Sequence, residues 1–308
     1  MKADQTITPD WIGLDWGDTT LHAYAMSAQG QVLAERNFDQ RLFDLSTDAF
    51  IHSLISQLEG WTVARSCRIL ACGPLPGAEH DGQISSYRSV PCAPLAETLP
   101  PPHIGDQTPT LWSIPGLKQD SPPDIMHGAE TRIAGFLALN PDWDGVICLL
   151  GAHSTWVHIS AGEIVSFQTF LTGELFAAIS EHTALRHALG GDAWDTDAFT
   201  ATMSTLFSRP ERLASTLFSV RANSLLHSQE PAIARAQLLG ALIGAELAAA
   251  KPYWLGQNIA LIGDARQSEL YGFALKQQGV TAQQCDAKSA TIAGLSAAYL
   301  SHLSEPRS

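Results

Sequence analysis

The sequence predicts an α/β protein made of two repeated halves, and three observations carry that prediction. First, Trp11-Ile12-Gly13-Leu14-Asp15-Trp16-Gly17 is an apolar run closed by an acid and a glycine. Leu21, Ala23 and Ala25 then alternate with His22, Tyr24 and Met26, the period of a strand. Second, the same order returns about 135 residues later, as Val146-Ile147-Cys148-Leu149-Leu150-Gly151 followed by Thr155-Trp156-Val157-His158-Ile159. Third, much of the remaining chain carries apolar residues at helical spacing.

The elements follow in order. Ser27-Ala28-Gln29-Gly30 supplies a turn, and Gln31 to Glu35 is the returning strand. Phe50, Ile51, Leu54, Ile55 and Leu58 predict a helix that Gly60 stops. Arg68 to Gly73 reads as a buried strand running into a loop. From Pro91 to Pro123 the chain is dense in proline, including Pro100-Pro101-Pro102, which predicts a long loop and a flap on the substrate side. Ile125 to Leu139 predicts a helix leading to the second half. There, Ser160-Ala161-Gly162-Glu163 turns and Ile164 to Phe170 returns. Helical segments fill Gly173 to Ala188 and much of Asp197 to Ala250. Asn258 to Gly263 reads as a strand, Gln267 to Gln278 as a helix, and Asp286 to Leu303 as the last helix.

Composition narrows the function. The 308 residues hold 31 acids against 18 Lys plus Arg, a formal charge of −13, with no basic run. That argues against nucleic acid and against an anionic membrane surface as partners. The most apolar stretch, Ala236 to Ala250, is short for a bilayer span and contains Glu246. Met1 to Asp10 is polar and lacks the apolar core of a signal peptide. Five scattered cysteines form no disulfide or zinc framework. A reduced, cytoplasmic enzyme or binding protein is the expectation, and a homodimer is compatible with it.

A repeated hairpin with a polar loop suggests two half-sites facing each other across a cleft. In the first loop, Asp15-Trp16-Gly17-Asp18-Thr19-Thr20, glycine admits a phosphate close to the backbone and the Thr hydroxyls can donate to it. Asp15 can hold Mg²⁺ directly or through water, as phosphoryl transfer needs. The bland alternative is an ordinary hairpin turn. The second loop, Gly151-Ala152-His153-Ser154-Thr155, offers Gly151, His153 and Ser154 to phosphate oxygens, against a surface turn with a solvated histidine. Gly263-Asp264 lies between a strand and a helix, where a base or ribose often sits. Trp16 and Trp156 stand beside the two loops and are candidate cleft walls. The chain lacks a Walker loop, a dinucleotide fingerprint and a Gly-x-Ser-x-Gly elbow. His153 with His158 has poor spacing for zinc.

At these residues the sequence resembles the 2-dehydro-3-deoxygalactonokinase family, sugar-acid kinases of the actin, hexokinase and Hsp70 ATPase superfamily. Ile12 to Leu21 resembles its Asp-Trp-Gly-Thr loop; Val90-Pro91-Cys92 and Ile114-Pro115-Gly116-Leu117 resemble its Val-Pro-Cys and Val-Pro-Gly-Leu signatures. Asp124 to Thr131 is similar to Asp-Val-Met-Arg-Gly-Glu-Glu-Thr, and Gly151 to Val157 to Gly-Thr-His-Ser-Lys-Trp-Val. Phe170 to Phe176, Leu242 to Leu247 and Leu261 to Asp264 continue the match.

The resemblance implies two duplicated actin-like ATPase (ribonuclease H-like) lobes around a central cleft. Residues 1–140 would carry the first phosphate loop and the sugar-acid side, and 141–308 the second phosphate loop and the nucleotide side. It implies ATP and Mg²⁺ as cofactors and transfer of the γ-phosphoryl group to 2-dehydro-3-deoxy-D-galactonate, a step of galactonate catabolism. Asp15 would orient the metal, and Gly17, Asp18, Thr19, Thr20, Gly151, His153, Ser154, Gly263 and Asp264 would contact ATP. Asp124, Thr172 and Glu174 would serve the substrate. The resemblance does not single out the general base; Glu130 is the expected one because it precedes the second lobe in the sugar-side helix, with Asp124 as fallback.

Four departures bear on charge. Thr155 stands where the family has Lys, Ala129 where it has the first Glu, and His127 where it has Arg; Gly73 to Ala78 lacks the family's Ser-Arg pair. A planar Arg fork would grip a carboxylate bidentately, and Arg88 is a candidate replacement. An altered acceptor, or a non-catalytic homologue that binds nucleotide or sugar, follows if the lost cations are not replaced.

Overall fold

The computed structural model describes residues 7–17, 20–39, 46–58, 60–64, 66–73, 87–104 and 109–304. In chain order the strands of the first half are β1 (Trp11–Trp16), β2 (Thr20–Met26), β3 (Val32–Asp39), β4 (Arg68–Cys72), β5 (Arg88–Ser89), β6 (Thr110–Ser113), β7 (Leu117–Asp120) and β8 (Pro123–Met126). Helix α1 (Thr47–Gln57) precedes β4 and α2 (Ala129–Leu139) follows β8. Then come β9 (Gly145–Leu150), β10 (Ser154–Ser160), β11 (Glu163–Phe170), α3 (Thr172–His182), α4 (Thr196–Ser208), α5 (Leu213–His227), α6 (Pro231–Ala249) and α7 (Lys251–Trp254). The chain finishes with β12 (Ile259–Gly263), α8 (Ala265–Gln277), β13 (Ala282–Asp286) and α9 (Ala287–His302).

Two five-stranded sheets have matching orders, β3-β2-β1-β4-β6 and β11-β10-β9-β12-β13. In the first, β1 pairs antiparallel with β2 and parallel with β4; in the second, β9 pairs antiparallel with β10 and parallel with β12. The ribonuclease H-like α/β pattern is therefore present twice. The chain divides into two compact units. One comprises Met1–Trp143, Ser160–Ser166 and Ala287–Ser308, the other Asp144–Ile159 and Phe167–Asp286. The last helix, α9, thus returns to the first unit.

In the first unit β1 is buried on both faces. Ile12, Leu14 and Trp16 pack with Phe50, Ile51 and Leu54 of α1. Trp11, on the opposite face, packs with Leu295 and Tyr299 of α9, the Trp11 and Tyr299 rings stacked at 4.3 Å. Strand alternation puts Asp15 on the Trp11 face, at the carboxyl end of β1. Helices α2 and α9 cross closely because Gly135 faces the Ala290 carbonyl and Gly294 the Thr131 carbonyl, leaving no room for a Cβ.

In the second unit α6 crosses α4 in the same way, with Gly240 against Phe199 and Gly244 against Met203. By length and composition α6 could cross a membrane, but its buried residues include Leu238, Ile243, Glu246 and Leu247, the pattern of a core helix.

Two local expectations change, and one strand is added. Ile125 and Met126 belong to β8, paired with β7, so the helix starts at Ala129. Gly128 precedes it with φ of 94°, a left-handed conformation that glycine tolerates and a helix interior does not. The proline-dense segment contributes β6 to the central sheet, and β5, β7 and β8 form a small sheet. Pro123 is accommodated as the first residue of an edge strand. Finally, Ala282–Asp286 is a strand, parallel to β12.

Candidate active site

Asp15 is held at the end of β1 by three side chains. Arg132 Nη2 donates to Oδ1 at 3.2 Å and to Oδ2 at 3.3 Å. Thr291 Oγ1 donates to Oδ2 at 3.3 Å and Cys72 Sγ to Oδ1 at 3.5 Å. Burial and the Asp15 charge push the Cys72 thiol up, which keeps it a proton donor. Arg132 Nε donates to Thr291 Oγ1 at 3.3 Å, so the guanidinium is fixed on both β1 and α9. Asp15 raises the Arg132 pKa further, against burial, which lowers it.

The first loop turns tightly, Gly17 N–H donating to the Thr20 carbonyl at 2.9 Å. Asp18 and Thr19 lie outside the described residues. Thr20 Oγ1 sits 3.1 Å from His22 Nε2, and His22 Nδ1 is 2.7 Å from Asn37 Oδ1. An amide oxygen only accepts, so Nδ1 carries the proton; in neutral His22 the Thr20 hydroxyl is then the donor to Nε2.

Glu130 is fully buried. Its carboxylate accepts from the Gly128 N–H at 2.9 and 2.8 Å and from Thr131 Oγ1 at 3.1 Å. Burial pushes its pKa up to about 7, with those donors pulling it back. Asp124 is half-buried and its Oδ1 accepts from the Ile125 N–H at 2.8 Å. His127 Nε2 is 3.2 Å from the Ile114 carbonyl, and burial lowers its pKa. Arg88 donates through Nη1 and Nη2 to the carbonyls of Ala93 and Pro94, which ties its charge to its own loop.

The second unit has a different centre, Glu246 of α6, buried in an otherwise apolar helix. It accepts from Ser154 Oγ (2.7 Å), Trp156 Nε1 (2.8 Å), Tyr271 OH (2.7 Å) and Thr172 Oγ1. Burial raises its pKa and the four donors oppose that. Ser154 and Thr172 were expected to face phosphate and substrate. Instead both are buried with their protons committed to Glu246, because a carboxylate in an apolar core must collect donors. Trp16 and Trp156 are likewise core residues rather than walls, 2% and 0% exposed. Thr155 is buried, its hydroxyl 3.2 Å from that of Thr169.

Around this centre, the 151–153 loop rests on the start of α3. The Glu174 N–H donates to the Ala152 carbonyl at 2.8 Å, Gly173 packs on the Gly151 carbonyl, and Gln267 Nε2 donates to that carbonyl at 3.2 Å. His153 Nε2 lies 2.9 Å from Glu174 Oε2 on the surface. Gly263 is buried at the end of β12, and Asp264 caps α8, its Oδ1 accepting from the Gln267 N–H at 2.8 Å. The structure thus gathers Gly151, His153, Ser154, Thr172 and Glu174 into one neighbourhood, and gives Asp15 three partners that sequence reasoning passed over, Arg132, Thr291 and Cys72. Glu246 carried a usable signal, a lone acid inside an apolar helix. Arg132 carried none, since an Arg in the first turn of a helix reads as solvated.

Comparison with known proteins supplies the remaining evidence. Residues 15–298 match the family described as 2-keto-3-deoxy-galactonokinase. A Rhizobium meliloti (strain 1021) protein named "Probable 2-dehydro-3-deoxygalactonokinase" is 35% identical over 94% of this chain and 96% of its own length. The 2-dehydro-3-deoxygalactonokinase of Escherichia coli (strain K12) is 28% identical over 91% and 92%. A crystal structure of a protein from Sinorhizobium meliloti, described as a "putative 2-dehydro-3-deoxygalactonokinase", superposes with a TM-score of 0.87 at 33% identity, covering 97% of this chain and 98% of that one. On fold, motifs and extent of similarity alike, the chain belongs to the 2-keto-3-deoxy-galactonokinase family.

Proposed function

We propose that the protein is a carbohydrate kinase that transfers the γ-phosphoryl group of ATP to the terminal hydroxyl of 2-dehydro-3-deoxy-D-galactonate, as a cytoplasmic step of galactonate catabolism. The observation that carries this reading is the family match across residues 15–298. In the reaction the acceptor oxygen bonds to the γ-phosphorus as the bond to the β,γ-bridging oxygen breaks. ADP leaves with that electron pair, and the hydroxyl proton passes to a carboxylate.

Charge stabilisation and positioning dominate such a transfer. Gly17 and Thr20 in the first unit are the proposed phosphate contacts, together with Asp18 and Thr19. Gly151, His153, Gly263 and Asp264 take the nucleotide side in the second unit, and Glu174 orients His153. Ser154 and Thr172 support the loop from behind through Glu246. Asp124 takes the base role, because it is partly exposed; Glu130 has a suitable proton affinity but no surface to offer a substrate.

Mg²⁺ would enter with ATP and neutralise charge on its phosphates. Three side chains already donate to the two oxygens of the Asp15 carboxylate, which disfavours direct metal ligation there, and among the described residues there is no cluster of three or more His, Cys, Asp or Glu. A metal that kept its waters would suit that donor set, and Asp15 would meet it through one of them.

A second reading, an acceptor without a carboxylate, has one observation behind it. His127 stands where the family has Arg, and burial lowers its pKa, which disfavours the cation a carboxylate would need there. Incubation with Mg·ATP and the sugar acid, followed by phosphorus NMR of the product, tests the first reading. A phosphomonoester on the terminal carbon is expected; none with the acid, but one with a neutral sugar, would favour the second.

A further inference from the structure

Phosphoryl transfer needs positive charge, and the chain lacks the family's cations at Thr155, His127 and the 73–78 segment. Arg88 does not make up the loss, since its terminal nitrogens serve two backbone carbonyls. Arg132 is placed differently. One edge of its guanidinium is occupied, Nε on Thr291 and Nη2 on Asp15. Nη1 has no hydrogen-bond partner among the described residues, and the side chain keeps 26% of its surface exposed. A planar fork pinned along one edge presents the other edge without rotamer cost, and Nη1 with the second Nη2 proton matches two oxygens of a phosphoryl group. The anchor lies two residues before Gly17, on the phosphate side of the first unit.

We propose that Arg132 is a catalytic residue that binds the transferring phosphoryl group through its free edge, with Asp15 and Thr291 as its positioning residues. The proposal rests on the kinase reading above. Arg132 stays protonated throughout; it neutralises charge on the equatorial oxygens and exchanges no proton.

The test measures ADP release from Mg·ATP with the sugar acid varied, for wild type, Arg132→Ala and Arg132→Lys, with thermal melting of each protein alongside. Arg132→Ala should lower kcat by about 10²–10³-fold, the usual cost of one transition-state donor. The KM for the acid should stay within about threefold, and added guanidinium ion should restore part of kcat. Arg132→Lys keeps a positive charge beside Asp15 and so preserves the fold should the Ala protein fail to fold. Its kcat should still fall by about tenfold or more, because an ammonium cannot make the bidentate contact.

Wild-type kcat in either variant would overturn the proposal. A raised KM for the acid at unchanged kcat would overturn it too, by assigning Arg132 to the acceptor carboxylate. A wild-type protein silent with ATP and the acid would strike the kinase reading itself, before any substitution is made.

Discussion

Asp15 and Glu246 are both buried carboxylates near the loops of their units, yet they are satisfied in opposite ways. Asp15 has a guanidinium, a hydroxyl and a thiol; Glu246 has three hydroxyls and an indole N–H, with no cation among its hydrogen-bond partners. A carboxylate that neutralises a cation leaves that cation with unused donors, so the Asp15 cluster is open to a ligand. Glu246 consumes every donor it meets and is closed. The lesson is that equal burial does not mean equal role: on the reading proposed above one acid positions a cation for the chemistry, while the other holds the scaffold behind a loop.

The sharpest break of this contrast is Asp15→Ala. It strands Arg132 beside an empty partner, and losing one member of a buried pair costs about 3–5 kcal/mol. Urea unfolding should show that loss, together with a fall in kcat as large as that of Arg132→Ala. Next is Glu246→Ala, which orphans Trp156 Nε1, while the hydroxyls reorient more freely. A loss of about 2–4 kcal/mol is expected by the same measurement, and Glu246→Gln should lose less, because an amide oxygen still accepts.

Glu130→Gln separates stability from catalysis. The folded pKa of Glu130, about 7, lies above its ordinary value of 4.5, so the native state holds an extra proton between those values. Stability from this group is full below about pH 4.5 and declines as pH rises to about 7. The wild-type stability minus that of Glu130→Gln should therefore fall across that window by up to about 3 kcal/mol. Turnover should be kept if Asp124 is the base, as proposed above, and Glu130 serves to cap Gly128. The smallest effect is Asp264→Ala, which removes the α8 cap and should cost about 1 kcal/mol.

Much of the fold was legible because the hairpins announce themselves. Leu21, Ala23 and Ala25 alternate cleanly, Gly30 and Gly162 turn the chain, and the repeat at 146–170 copies that order. The strand at 282–286 was not legible, since Ala-Gln-Gln-Cys-Asp is polar and half-exposed at a sheet edge. Nor was the return of α9 to the first unit, which depends on Gly135 and Gly294 meeting across 159 positions of sequence. At the site, the loop glycines and Asp15 stood out by residue type and place. Ser154 looked like a phosphate donor and Thr172 like a substrate contact because a hydroxyl's partner is invisible in sequence, and theirs is an acid 92 and 74 positions away.

The most direct test of the whole account is the rate of ADP formation by the wild-type protein from Mg·ATP, with and without 2-dehydro-3-deoxygalactonate. The account predicts acceptor-dependent release at about 1 s⁻¹ or faster, the lower end for kinases. ATP binding with no acid-dependent ADP release would contradict it, and would leave the Asp15–Arg132 cluster as a binding site without the reaction.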